Sequence, residues 1–402
     1  MVLKSQYRKS LRNMVLLNSI LKKFKGLFNE EPFLVRSPGR VNLIGEHTDY
    51  NMGFVLPAAI DKAIYFAITP RSDESFKIFA LDMGEDFEGL LNDLRPSDKQ
   101  WPNYLTGVID QLINAGYNIK GFNCVFGGDI PIGAGLSSSA ALEAGFSYAL
   151  NEIYNLNIGK LDLVKFSQKA ENEFVGVQCG IMDQYINIFG KDENVLRIDC
   201  RSLDYEYFPF DFENLSVVLF DTCVSHSLAT SEYNKRREEC SEGVRIIKKD
   251  NSQINSLRDV TMDILIDYKT KLKPVIFNRC KYIIEENNRL LKACDSLNVH
   301  DLKEFGLLMY RSHEGLTKDY EVSCDKLDFL VSLTKDNPKI YGSRMMGGGF
   351  GGCTINLIEN DEIESARSKI KSEYKKKFNI EAKTYITKIS NGTSTITNNY
   401  SD

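Results

Sequence analysis

No apolar run in this chain approaches the ~18 residues that a membrane-spanning helix requires. Positive charge is also short: 50 Lys and Arg stand against 55 Asp and Glu, a formal net charge of -5. General binding to nucleic acid or to an anionic membrane needs a positive field, so neither is expected, and a small-molecule substrate is. The nine cysteines are odd in number, widely spaced and without a CxxC pair. They suit neither a disulfide framework nor a zinc site, and reduced thiols in a cytoplasmic setting are the expectation. Histidine is scarce, four in all, and His226, His300 and His313 lack metal-ligand spacing. Acidic residues are absent before Glu30, although Lys4, Arg8, Lys9, Arg12, Lys22, Lys23 and Lys25 precede it. We read this as a docked amphipathic helix with Leu11, Met14, Val15 and Leu21 near its apolar face, rather than an organelle transit segment. With 402 residues and 43% hydrophobic content, the chain can build two or three domains with substantial cores.

What the chain has in abundance is glycine at two places. GGDIPIGAGLSSSAALE, residues 127–143, follows a short β-like run at 122–126 and leads into a helix-forming stretch at 136–154. The order strand, loop, helix puts uncapped backbone N–H groups and a positive dipole end beside Ser137, Ser138 and Ser139, which suits an anion. A helix cap with spare serines is the alternative. No lysine lies between Lys120 and Lys160, so this is not a Walker A loop. The second stretch, GSRMMGGGFGGC at 342–353, carries a formal GxGxxG at Gly347, Gly349 and Gly352, but a strand rather than a helix follows it. It reads either as a flexible hairpin-like loop or as one that closes over a phosphate site.

Between these landmarks, residues 41–44 read as a buried strand ended by Gly45, which leaves Glu46, His47, Asp49 and Tyr50 on a loop. Two carboxylates and a histidine there offer acceptors to ligand hydroxyls and repel anions, so a neutral polyol suits them. A solvated turn with an Asx-type bond from Asp49 is the bland reading. Strands are predicted at 64–69, 76–81, 195–198, 215–220, 353–358 and 383–389, and helices at 101–115 and 161–175, the latter bearing Glu171. Asp183 is notable for its apolar neighbours Ile181, Met182, Tyr185, Ile186 and Ile188: such a carboxylate is well hydrogen-bonded, functional or a helix cap. A helix from about 231 carries Tyr233, and two longer amphipathic helices follow. The tail from Asn391 is expected to be mobile.

Together these motifs resemble galactokinases of the GHMP kinase superfamily. The likeness is carried by RSPGRVNLIGEHTDYNMG at 36–53, PIGAGLSSSAALE at 131–143 and GSRMMGGGFGGC at 342–353, and extends to CGIMDQ, SHSLATSEY and LMYRSHEGLTKDYEVSCDKLD. GEHTDY separates the galactokinase branch from the mevalonate and homoserine kinases. The resemblance implies an α+β, two-lobed GHMP kinase fold with the active site in the cleft between lobes, here divided as 1–195 and 196–402. The implied reaction moves the γ-phosphoryl group of ATP to the anomeric hydroxyl of α-D-galactose.

By position, Asp183 matches the family's catalytic base, and Arg40 the cation beside it, which would help keep the carboxylate ionised. Glu46, His47, Asp49, Gly180, Asp183 and Tyr233 match the sugar-binding positions. Gly133, Ala134, Gly135, Leu136, Ser137, Ser138 and Ser139 match the nucleotide loop, and Ser139 and Glu171 match contacts to Mg²⁺. A monomer is expected. Met346 stands where the family usually has threonine, and Gly315 and Thr317 replace a usual serine and arginine. Two alternatives share most of these motifs: a kinase for another hexose such as N-acetylgalactosamine, and a non-enzymatic galactose sensor. Against the sensor, Ser137 to Ala141, Arg40 and Asp183 are all intact.

Overall fold

A computed structural model describes residues 2–131, 133–224 and 229–397; for 2–13, 229 and 230 only the backbone is described. In chain order the first half runs α1 (Val2–Phe28), β1 (Phe33–Asn42), β2 (Phe54–Val55), β3 (Pro57–Pro70), β4 (Ser75–Ala80), β5 (Glu85–Leu90), α2 (Gln100–Asn114), β6 (Phe122–Gly128) and α3 (Ser138–Tyr154). It continues with α4 (Lys160–Lys169), a π-helix (Ala170–Val175), α5 (Met182–Phe189), β7 (Asn194–Asp199) and β8 (Tyr205–Pro209). The second half comprises β9 (Leu215–Asp221), α6 (Ala229–Lys248), α7 (Met262–Asp267), α8 (Pro274–Asn298), α9 (Leu302–Lys318) and α10 (Asp325–Ser332). It closes with β10 (Ile340–Met345), β11 (Cys353–Glu359), α11 (Ile363–Phe378), β12 (Lys383–Thr387) and β13 (Ser394–Thr395). Helices and sheets are mixed along the chain, the α+β class expected from the resemblance.

Among the described residues the strands form three sheets, with strand orders β13-β1-β3-β6-β4-β5, β10-β11-β9-β12 and β2-β7-β8. Within them every pairing is antiparallel except β4 with β6. The long strand β3 is buried along most of its length, as befits a strand with neighbours on both edges and helices over it. Helix α3 lies against β1 so closely that a Cβ at Gly145 would overlap the Ser37 side chain, which fixes glycine at that crossing. The main core is continuous between the halves: Val35, Val41 and Phe66 share one cluster with Leu219, Ile355 and Leu357.

Several sequence expectations need adjustment. Helix α1 does dock, but through Leu17, Ile20 and Phe24 against Leu34, Tyr65 and Val125; Met14 and Val15 are exposed. The i, i+3, i+7 stripe one turn further along is the one that meets a sheet. Side chains before Met14 lie outside the described set. The helix expected over 161–175 is α-helical only to Lys169, then widens into the π-helix that holds Glu171. Helix α3 starts two residues later than expected, because Ser137 adopts φ 56° and ψ 56°. The tail is not free from Asn391: β13 pairs with β1, Ile396 donates to the Leu34 carbonyl, and Thr393 is buried. Period-two patterning is too short in a two-residue strand to announce it. His226 and its neighbours at 225–228 lie outside the described residues.

A candidate active site between two glycine-rich loops

Asp183 sits in the first turn of α5, whose other face, Tyr185, Ile186 and Ile188, is buried. The apolar company read from sequence is therefore the anchor that holds the carboxylate at the surface of a cleft. Arg40 reaches it from the end of β1, just after the register shifts between Pro38 and Arg40. The contact is bidentate, Nε to Oδ1 at 2.7 Å and Nη2 to Oδ2 at 2.6 Å. Burial pulls the Arg40 guanidinium down, but Asp183 outweighs it and the net shift is upward. Arg40 is also pinned to the first glycine loop, Nη1 to the Gly135 carbonyl at 2.5 Å and its own N–H to the Leu136 carbonyl at 3.1 Å. The Ser137 hydroxyl donates to Asp183 Oδ2. Ser137 stands at the N-cap of α3 without a side-chain cap bond, its left-handed backbone is costly for a residue with a Cβ, and here that strain is tied to the carboxylate.

Beside this pair opens a cavity of roughly 570 Å³, lined by Arg40, Glu46, His47, Asp49, Gly180, Asp183 and Tyr233 together with Gly347 to Gly349. All seven predicted sugar-site and catalytic residues thus meet in one place. Glu46 Oε1 is fixed by two donors, the Gly347 N–H at 2.9 Å and Arg344 Nη2 at 3.1 Å. Asp49 approaches the 179–180 turn so closely that a Cβ at Gly180 would overlap its Oδ2. Burial, with Asp183 and Glu46 adding repulsion, pushes the Asp49 carboxyl up to about 6. Burial pushes the His47 imidazole down to about 3, so it is neutral. Tyr233, on α6, packs 5.3 Å from the His47 ring, and burial holds its phenol well above the usual range. The second glycine loop covers this side, with Gly348 beside Tyr233.

A second cavity, roughly 440 Å³, opens at the start of α3. Ser138 and Ser139 line it with Trp101, Tyr104, Phe126, Ile130 and Leu142, and Asp82 is its one charged side chain. Gly133 and Gly135 take φ 78° and 71°, while Ala134 and Leu136 are buried and root the loop in the core. The Ser139 hydroxyl bonds Glu171, which also accepts from Gln184 Nε2 at 2.7 Å and the Cys179 thiol at 3.2 Å. Glu143 lies against Glu171, fully buried, and its Oε1 has no hydrogen bond. Desolvation, and after it their mutual repulsion, raises Glu143; desolvation leads the rise at Glu171.

Sequence reasoning missed Arg344, a fully buried arginine whose guanidinium is spent on the Leu43, Asn42 and Met345 carbonyls and on Glu46. Its signal was present: a lone cation opening a glycine-rich stretch. It also missed Glu143, the one acidic residue in an otherwise apolar run of α3. Two of the departures have local partners. A side chain at Gly315 would crowd the Tyr282 ring, at 2.8 Å, and the Thr317 hydroxyl donates to Asp328 at 3.1 Å. Met346 is buried.

Models of protein families divide the chain in the same order as the fold. Residues 103–191 match the GHMP kinases N terminal domain and residues 290–376 the GHMP kinases C terminal domain, so the fold and its paired cavities define a GHMP kinase. Residues 22–70, which hold Arg40 and the Glu46–Asp49 loop, match the galactokinase galactose-binding signature. A galactokinase of Roseiflexus sp. is 41% identical over 91% of this chain and 93% of its own length. One from Thermosipho africanus is 40% identical over 90% and 99%. The crystal structure of Lactococcus lactis galactokinase complexed with galactose superposes with a TM-score of 0.89 at 34% identity, covering 94% of this chain and all of that one. The chain belongs to the galactokinase family.

Proposed function

We propose that this protein transfers the γ-phosphoryl group of ATP to the anomeric hydroxyl of α-D-galactose, releasing galactose 1-phosphate and ADP. The observation that carries this reading is the Arg40–Asp183 pair: it lines the first cavity and is bonded through Ser137 to the loop whose next two serines line the second. Sugar in the first cavity and nucleotide in the second would meet across that loop. Glu46, Asp49, His47 and Tyr233 offer a neutral polyol fixed acceptors and donors, and the close Gly180 backbone narrows the floor. The aromatic wall of Trp101 and Tyr104 suits a purine, with the phosphates against Gly133 to Ser139.

Asp183 takes the proton of the attacking hydroxyl, and Arg40 orients the carboxylate and offsets charge as the phosphoryl group is transferred. Alignment and charge neutralisation carry most of the rate. The residues present fit a magnesium ion: Ser139 and Glu171 are hard oxygen donors, and the buried Glu143–Glu171 contact is a concentration of carboxylate that a cation would relieve. Mg²⁺ bound there supplies neutralisation of the nucleotide phosphates. Among the described residues no group of three or more His, Cys, Asp or Glu is arranged to hold a metal.

We keep the division into lobes 1–195 and 196–402, supported by the six-stranded sheet, β13 excepted, lying in the first and the four-stranded sheet in the second. The protein is read as a cytoplasmic monomer; no described helix is long and apolar enough to cross a membrane. The test is ADP release with Mg·ATP against galactose, N-acetylgalactosamine, glucose and mevalonate. Galactose-dependent turnover is expected. Turnover with N-acetylgalactosamine alone would replace the substrate, and galactose binding without turnover on any sugar would replace the activity.

A further inference from the structure

The loop that carries Glu46, His47 and Asp49 runs from the end of β1 to the start of β2, and its backbone lies on α8, a helix from the second half of the chain. Two glycines make the approach possible. A Cβ at Gly45 would stand 2.6 Å from Leu290 Cδ1, and one at Gly53 would stand 2.5 Å from Asn287 Oδ1. Three side chains of α8 then bond the backbone of this loop. Glu286 Oε1 accepts from the Gly45 N–H at 3.0 Å, Asn287 Oδ1 accepts from the Phe54 N–H at 2.8 Å, and the Tyr282 hydroxyl donates to the Glu46 carbonyl at 3.1 Å. Tyr282 and Glu286 are one turn apart and Asn287 follows, so all three stand on one side of the helix.

All three are buried, and each is fixed from behind. The Ser312 hydroxyl, on α9, donates to Glu286 Oε1 at 2.6 Å, while Arg289 pairs with the other oxygen, Oε2. Asn287 Nδ2 donates to the Ile283 carbonyl at 3.0 Å, and the Tyr282 ring packs 4.6 Å from that of Tyr320. The Glu286 carboxylate is therefore divided: Oε2 answers the arginine, and Oε1 faces the loop. Thr48 closes the loop on itself, its hydroxyl lying 2.9 Å from the Gly45 carbonyl and 2.5 Å from the Phe54 carbonyl. Bonds within the loop do not fix how it sits over the cavity. Those from α8 hold it near both ends, with Glu46 gripped at its carbonyl by Tyr282 and at its carboxylate by Gly347 and Arg344.

We infer that Glu286, Asn287 and Tyr282 are positioning residues for the sugar site: none lines the cavity, yet together they hold the loop that presents Glu46, His47 and Asp49 to it. A loop arranged before the ligand arrives has less ordering to lose on binding, so this hold shows in affinity for the sugar. The effect on sugar binding rests on the galactose reading; the hold on the loop does not.

The test separates the acceptor at 286 from the ion pair. In Glu286→Leu/Arg289→Leu the buried pair is replaced by apolar side chains, a change that folds commonly tolerate, and the acceptor is lost. Glu286→Gln/Arg289→Leu loses the same pair and keeps an acceptor oxygen. Asn287→Ala removes the second acceptor independently, and decides the matter should the first variant not fold. Each is assayed for galactose KM, ATP KM, kcat and melting temperature, and by amide hydrogen exchange of peptides covering residues 43–56 without ligand. Leaving a buried donor unsatisfied should raise galactose KM about tenfold in Glu286→Leu/Arg289→Leu and about fivefold in Asn287→Ala, with ATP KM within about twofold. Exchange over 43–56 should quicken in both. Glu286→Gln/Arg289→Leu should stay within about twofold of wild type in both KM values, whatever its melting temperature. Equal rises in both KM values, a galactose KM that follows melting temperature across the set, or a glutamine variant as impaired as the leucine one would overturn the proposal. Quickened exchange with the expected rescue, in a protein whose wild type does not bind galactose, would leave the hold standing and overturn the substrate reading.

Discussion

At the scale of the residue, the site is a few charges held by bonds that leave each of them little freedom. Asp183 is the sharpest case: Arg40 and Ser137 fix both oxygens, so Asp183→Asn should keep the fold and ATP binding while kcat falls by about 10²- to 10⁴-fold, as read in a coupled assay. Near wild-type turnover would remove it as the base. Asp49 gives a pH prediction. Its carboxyl is raised to about 6 by burial, so its ionised form, the better acceptor for a sugar hydroxyl, is lost as pH falls through 6. Galactose KM should rise below pH 6, and the step should vanish in Asp49→Asn. The sign for stability is opposite: a raised acid favours the folded state at low pH, and that contribution is lost as pH rises from about 4 to about 6. Which residue types sit at the site was legible from sequence, since loops and strand ends announce themselves. What each one touches was not: Ser137 was read as a phosphate donor and bonds Asp183, and the contact spans residues 46 apart.

At the scale of the element, function depends on loops that glycine alone permits. The turn at Gly180 is one. Its Cα lies against Asp49, so Gly180→Ala must push the two apart, at an overpacking cost of ~1–3 kcal/mol. Galactose KM should rise about tenfold with ATP affinity unchanged, which titration of each ligand would measure; a selective loss of ATP binding would contradict the assigned cavities. Sequence gave the strand, loop and helix order around 122–154 because its period changes from two to 3.6 at the glycines. It did not give the π-helix at Ala170–Val175, because the extra residue per turn is imposed by what surrounds it. Gly107 of α2 meets this segment, where a Cβ would stand 3.0 Å from the Phe174 Cβ, and the close packing leaves Glu171 turned toward Ser139. Nor did it give β13, whose two residues carry no pattern of their own.

At the scale of the whole molecule, residues late in the chain return to brace the segment that carries Arg40. Residues 390–396 run back along the first sheet: Thr393 Oγ1 donates to Asn187 Oδ1 at 2.6 Å, and Gly392 N–H to the Gly190 carbonyl at 2.8 Å. Asn187, on the same helix as Asp183, donates in turn to Ser37 and to the Pro38 carbonyl, immediately before the shift in β1 that aims Arg40. The two halves of the Arg40–Asp183 pair are therefore joined a second time, underneath, by a buried polar cluster that the chain terminus completes. A protein ending at residue 390 would leave Asn187 Oδ1 short of a buried donor, at a cost of ~1–3 kcal/mol, and would expose the edge of β1 besides. It should melt several degrees lower. It should also lose kcat at saturating galactose and ATP, because the pair is no longer held from below. A protein ending at residue 397 keeps every one of these bonds and should match the full chain in both melting temperature and kcat. If the shorter protein melted lower yet turned over at the full rate, the terminus would be a brace for the sheet alone, and the aim of Arg40 would be set entirely by Gly135, Leu136 and Asp183.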